Sequence, residues 1–147
     1  MSANELNDLA LEYYNGSGEK EQDFVKAFEL FSMAAEKGNA DAMYNLGNMY
    51  YYGRCVTPDY ARAFEWYTEA AEKGNAKAMN NLGVMYQYGQ GVAKNDVQAV
   101  EWYKKGAERG DVTAMNNLSL MYKNGVGVAR DKQKAEEWKR KAEAAGR

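Results

Sequence analysis

The sequence predicts an all-α solenoid built from four helix–turn–helix repeats. Three observations carry that reading. Gly38, Gly74, Gly110 and Gly146 stand 36 residues apart, and so do Ala27, Ala63, Ala99 and Ala135 and the three tryptophans Trp66, Trp102 and Trp138. A motif recurs with the same step, as Ala42-Met43-Tyr44-Asn45-Leu46-Gly47, then from Ala78 and again from Ala114. No stretch alternates apolar and polar residues as a half-buried strand would. Fixed-period self-similarity of this length is the mark of stacked supersecondary units. The repeats are expected at about 2–38, 39–74, 75–110 and 111–147, forming one domain over residues 1–147.

Each repeat reads as two helices. Asn39, Asn75 and Asp111 are suited to cap the first, because a short side-chain acceptor satisfies a free amide of the opening turn. Gly53, Gly89 and Gly125 stop it after about 13 residues. Asp59, Asn95 and Asp131 cap a second helix of about 15 residues that ends on Glu-Lys-Gly or Glu-Arg-Gly. Ser2 with Glu5 forms a capping box for the first repeat. Counted at 36 residues, that repeat has Leu11 where Gly47 sits and Ala10 where Leu46 sits.

The second helices carry two apolar stripes. Ala63, Trp66 and Ala70 form one, predicted to pack inside the repeat. Phe64, Tyr67 and Ala71 form the other, predicted to pack on the following repeat. In the last repeat the second stripe becomes Glu136, Lys139 and Glu143. A charged outer face is how a solenoid ends, so the array is expected to stop there.

The bulk composition excludes several classes. The chain is 46% hydrophobic with 12 tyrosines, enough for a packed core rather than a disordered segment. A net charge of −2 argues against a nucleic-acid partner. No apolar run is long enough for a membrane span and no signal peptide is written at the N-terminus, so no membrane partner is expected. The single cysteine, Cys55, excludes an intramolecular disulfide and points to the cytoplasm. There is no histidine, and one cysteine cannot build a thiolate site, so no metal, cofactor or catalytic group is expected. Ser17-Gly18-Glu19-Lys20 matches S-x-x-K, but without its partner motifs, which leaves a β-lactam-binding enzyme as a remote alternative. Charge is uneven. Residues 1–23 sum to −5 and residues 130–147 to +3, so a monomer is expected with end-to-end self-association as the alternative.

The pattern Ala-x-x-x-Leu-Gly-x-Met-Tyr-x-x-Gly followed by Gly-Val-x-x-(Asp/Asn)-x-x-x-Ala-x-x-Trp-Tyr-x-x-Ala-Ala-Glu-x-Gly resembles the Sel1-like repeat, a relative of the tetratricopeptide repeat. The last three repeats match closely and the first loosely. The resemblance implies a right-handed superhelix acting as an adaptor between other proteins, with first helices lining a concave groove. One cysteine sets the chain apart from members whose repeats are stapled by cysteine pairs. Cys55 stands where Gly91 and Gly127 stand, in a loop whose geometry is in doubt if it needs a positive φ.

Packing leaves one stripe of the first helices unexplained. In the second repeat it holds Asp41, Tyr44, Asn45, Asn48 and Tyr52. The third supplies Lys77, Asn80, Asn81, Val84 and Tyr88, and the fourth Thr113, Asn116, Asn117, Leu120 and Asn124. Glu5, Asp8 and Glu12 are assigned to it in the first repeat, suggesting a partner segment that is basic at one end. An asparagine amide offers both a donor and an acceptor to a peptide backbone, and tyrosine adds flat amphipathic area. Asparagine before Leu-Gly belongs to the motif itself, so a bond to a neighbouring helix and contact with a partner are equally open for Asn45, Asn81 and Asn117. The function expected is a non-catalytic scaffold that binds a peptide segment or helix of another protein.

Overall fold

A computed structural model describes residues 1–146 and shows eight α-helices with no strand among them. Their contacts group them into two units that divide after Gly74. The first holds α1 (Ala3–Asn15), α2 (Phe24–Glu36), α3 (Ala40–Tyr52) and α4 (Tyr60–Glu72). The second holds α5 (Ala76–Tyr88), α6 (Asp96–Glu108), α7 (Val112–Asn124) and α8 (Lys132–Ala145). In each unit consecutive helices pair as hairpins, and the second helix of one hairpin packs on the first helix of the next.

The boundaries follow from the caps. Asn39 Oδ1 accepts from the Ala42 amide at 2.8 Å, and Asn75 and Asp111 repeat the arrangement. Gly53, Gly89 and Gly125 sit in the left-handed region at φ 65–68° and close the first helices. The second helices are shorter than expected. α2, α4 and α6 have 13 residues each, because the residue before the terminal glycine already serves as cap. α8 runs 14 residues, and Gly146 keeps a right-handed φ of −81° instead of turning left.

The first repeat is out of register with the 36-residue count. α1 starts at Ala3 and is capped by Gly16, 37 residues before Ala40 and Gly53. α2 returns to the 36-residue step, so the extra residue lies in the loop between Gly16 and the Asp23 cap. Ala10, fully buried, therefore takes the place of Gly47, and Leu9 that of Leu46, not Leu11 and Ala10.

The division of labour between the two stripes also differs from expectation. Tyr67 and Tyr103 belong to the stripe assigned to the following repeat, yet each ring packs inside its own hairpin. A Cβ at Gly47 would stand 2.6 Å from the Tyr67 ring, and one at Gly83 2.5 Å from that of Tyr103. The glycine opens a slot on the first helix, and the ring fills it. Other members of the stripe do reach the next hairpin. Phe28 meets Tyr50 edge-on at 5.9 Å, and Val100 packs beside Gly127. Nor is the first stripe purely internal, since Gly106 lies between Ala76 and Met79 of its own hairpin and Ala114 of the next.

Candidate functional site

In the first unit the strip is anchored from beneath. Asn45 is half-buried and donates through Nδ2 to Asn7 Oδ1 at 3.2 Å. Asn48 Oδ1 accepts from the Tyr67 hydroxyl at 2.6 Å, which holds both side chains. The half-buried Tyr44 ring lies 6.0 Å from that of Tyr67. Asp41 is exposed, and Tyr52 is 62% exposed with its ring edge-on to Tyr51 at 4.9 Å. Tyr51 also lies 4.9 Å from Tyr60, so a run of tyrosine rings reaches from α3 to α4.

The second unit repeats the plan with different chemistry. Asn80 is buried and its Oδ1 accepts from Asn117 Nδ2 at 2.9 Å. This bond has the same register as Asn7 with Asn45, since the one-residue shift of α1 aligns Asn7 with Tyr44 and Asn80. Asn81 is half-buried, and Val84 packs against the unit's core. Lys77, Thr113, Asn116 and Asn124 are exposed, as are Tyr88 at 66% and Leu120 at 52%. The strip thus separates into an inner row that bonds hairpin to hairpin and an outer row that faces solvent.

The acidic residues of α1 are placed differently from expectation. In the structural register Glu5 aligns with Ala42 and Glu12 with Met49, outside the strip's columns, although Glu5 is itself exposed and Glu12 half-buried. Only Asp8, aligned with Asn45, falls on the strip. Glu5 accepts from the Ser2 amide at 3.0 Å, and these Ser2 bonds hold its carboxyl below the usual range. Glu12 is 2.7 Å from Lys20 Nζ, and that partner raises the lysine pKa. The Lys20 amine is therefore held by a carboxylate on α1, in a loop rather than on the helix that an S-x-x-K site requires.

Cys55 has φ 57°, matching φ 70° and 71° at Gly91 and Gly127, so the loop does demand the left-handed region there. Its thiol lies 3.6 Å from the Phe24 carbonyl. Burial, and then the charge of Asp23, push the thiol pKa up, opposite to the shift of a reactive cysteine. No cluster of His, Cys, Asp or Glu that could hold a metal ion occurs among the described residues. Nor is any of their helices long and apolar enough to cross a membrane.

Sequence reasoning passed over two features. Asn7 was hidden by the register shift, although Gly16, standing 37 residues before Gly53, signals it. The other is a crevice of about 510 Å³ between α7 and α8, lined by Asn116 and Leu120 of the strip together with lysines.

Hairpin on hairpin, an asparagine-bonded inner row and an exposed outer row define a helical-repeat protein of the tetratricopeptide-like class. Within that class the chain belongs to the Sel1 repeat family, whose model matches residues 6–39, 40–75, 76–111 and 112–146. A protective antigen of uropathogenic Escherichia coli strains that displays the SLR fold is similar at 38% identity and a TM-score of 0.92 over 99% of this chain. A Sel1 repeat protein from Oxalobacter formigenes is similar at 30% identity, with the same TM-score and coverage. The chain spans only 31% and 59% of those two proteins. Cysteine-rich protein B of Helicobacter pylori is similar at 26% identity and a TM-score of 0.62, over 78% of this chain and 95% of that one. No curated protein matches the chain. Sel1 repeat proteins are in general protein-interaction scaffolds.

Proposed function

We propose that residues 1–147 act as one non-catalytic interaction domain that binds a peptide segment or a helix of a partner protein. The outer row of the strip makes the contact, and the inner asparagines hold the row in place. One observation carries this reading. Tyr52 and Tyr88 occupy the same column of successive repeats and are 62% and 66% exposed. A large aromatic left in water at the same position of each unit's first-helix strip is a typical binding anchor. In the second unit Lys77, Asn116 and Leu120, also exposed on first helices, supply a cation, an amide and an apolar contact. A lone cysteine with no partner suits a reducing cytoplasm.

The test uses the immobilised chain to capture proteins from cells that produce it, with quantitative mass spectrometry. A Tyr52→Ala/Tyr88→Ala variant should lose the partner, whereas Met33→Ala/Val97→Ala, exposed on second helices, should keep it. Equal capture by both variants overturns the reading. The alternative, end-to-end self-association through the acidic and basic termini, predicts oligomers by light scattering that dissolve as salt screens them.

A further inference from the structure

The crevice between α7 and α8 coincides with the loss of one ring from the repeat pattern. In the α5–α6 hairpin, Tyr103 covers Gly83 and its hydroxyl donates to Gln87 Oε1 at 2.7 Å. In α7–α8 the three columns hold Ser119, Lys139 and Lys123, 36 residues on. Ser119 Oγ turns inward to donate to the Ala135 carbonyl at 2.7 Å, and both residues form the buried floor. Lys139, in the Tyr103 column, is exposed and lines the crevice where Tyr103 is buried against its partner helix. The crevice has a volume of about 510 Å³.

Its walls are basic. Lys123, Arg130, Lys132 and Lys139 line it against a single carboxylate, Glu136. None of the four cations takes part in an ion pair among the described residues. Other cations of α8 are already engaged. Lys134 sits over the Tyr122 ring, Lys141 over Trp138, and Arg140 donates to the Glu136 carbonyl. Those that remain converge on the crevice, where Leu120 and Ala135 add an apolar patch and the exposed Asn116 an amide.

We propose that this crevice docks an acidic segment of a partner protein, with two or more carboxylates met by Lys123 and Lys139 and a small apolar side chain resting on Leu120 and Ala135. Charge complementarity sets the occupant. Four cations facing one carboxylate favour a polyanionic chain over a neutral or basic one, and the apolar floor favours a peptide over a free anion. This deepens the interaction reading, since Asn116 and Leu120 belong to both the strip and the crevice.

The experiment uses the full chain and a fluorescein-labelled hexapeptide of glutamate and leucine, with its glutamine counterpart as control. Fluorescence anisotropy should show the glutamate peptide binding, the glutamine peptide not, and affinity falling as salt rises. Lys123→Glu/Lys139→Glu should weaken binding by on the order of tenfold or more. Lys104→Glu, an exposed lysine of α6 outside the crevice, should not. Circular dichroism confirms that each variant folds. Equal binding of the glutamine peptide, an unaffected double variant, or an equal loss in Lys104→Glu overturns the proposal. So does a Lys123- and Lys139-dependent dimer in sedimentation without peptide binding, which assigns the crevice to a second copy of the chain. Loss of native partner by Tyr52→Ala/Tyr88→Ala with hexapeptide binding intact, or the reverse, separates this proposal from the strip reading.

Discussion

The ring of Tyr103 lies against the backbone of Gly83, so close that a Cβ there would stand 2.5 Å from two ring carbons. The contact welds α5 to α6, and the hydroxyl at its far end donates to Gln87, back on α5. The fold's small residues and its buried tyrosines are therefore one device, not two.

Replacing that glycine should show it. Gly83→Ala forces ring and helix apart and should cost about 1–3 kcal/mol in urea unfolding. Adding Tyr103→Leu, which removes the obstructed ring, should make the second loss smaller than Tyr103→Leu costs alone. Additive losses would show that the two residues do not press on one another.

The asparagine pair gives a second measurement. Asn80 is 7% exposed and takes its bond from Asn117. Asn117→Ala strands a buried amide oxygen and should cost about 1–3 kcal/mol. Asn80→Ala/Asn117→Ala should cost less than the sum of the two single changes, because neither partner is then left unpaired. This also makes alanine variants of the inner row poor probes of binding, since they loosen one hairpin from the next.

Cys55 holds a conformation its neighbours assign to glycine. A left-handed φ costs a residue with a side chain about 1–2 kcal/mol. Glycine relieves that but loses more backbone entropy on folding. Cys55→Gly should raise stability by about 0.5–1 kcal/mol, read as a higher Tm. A lower Tm would mean that the thiol contact to Phe24 outweighs the strain.

Tyr103 also makes stability depend on alkali. Burial, and then the charge of Tyr88, push its pKa upward from the usual value near 10. Below about pH 10 it is neutral in both the folded and the unfolded chain and contributes no pH dependence. Above that the unfolded chain loses the proton while the folded one keeps it, so stability falls by about 1.4 kcal/mol per pH unit from this group. Tyr103→Phe should flatten that part of the decline. An unchanged slope would place its source elsewhere.

Much of this was legible in the sequence, because a repeat prints its constraints several times over. Gly53, Gly89 and Gly125 and the Asn39, Asn75 and Asp111 caps fixed the first helices to the residue. The first repeat misled, since its inserted loop residue moved α1 by one position, which on a helix turns every side chain by about 100°. That shift moved Glu5 and Glu12 off the columns of the strip and hid Asn7. The destination of Tyr67 was not legible either. A helix projection gives the face a ring points from, not whether it turns to its own partner helix or to the next hairpin. Lys139 stands where the preceding repeat has Tyr103, but only neighbouring side chains show whether such a change leaves a gap.

The claim that the outer row of the first helices is the partner surface has a direct test. A photo-cross-linking amino acid placed at Tyr88, and separately at Glu101 on the exposed side of α6, is irradiated in cells that produce the protein. A discrete cross-linked partner is expected from position 88 and none from position 101. Cross-links from position 101 alone, or the same products from both, would contradict the claim.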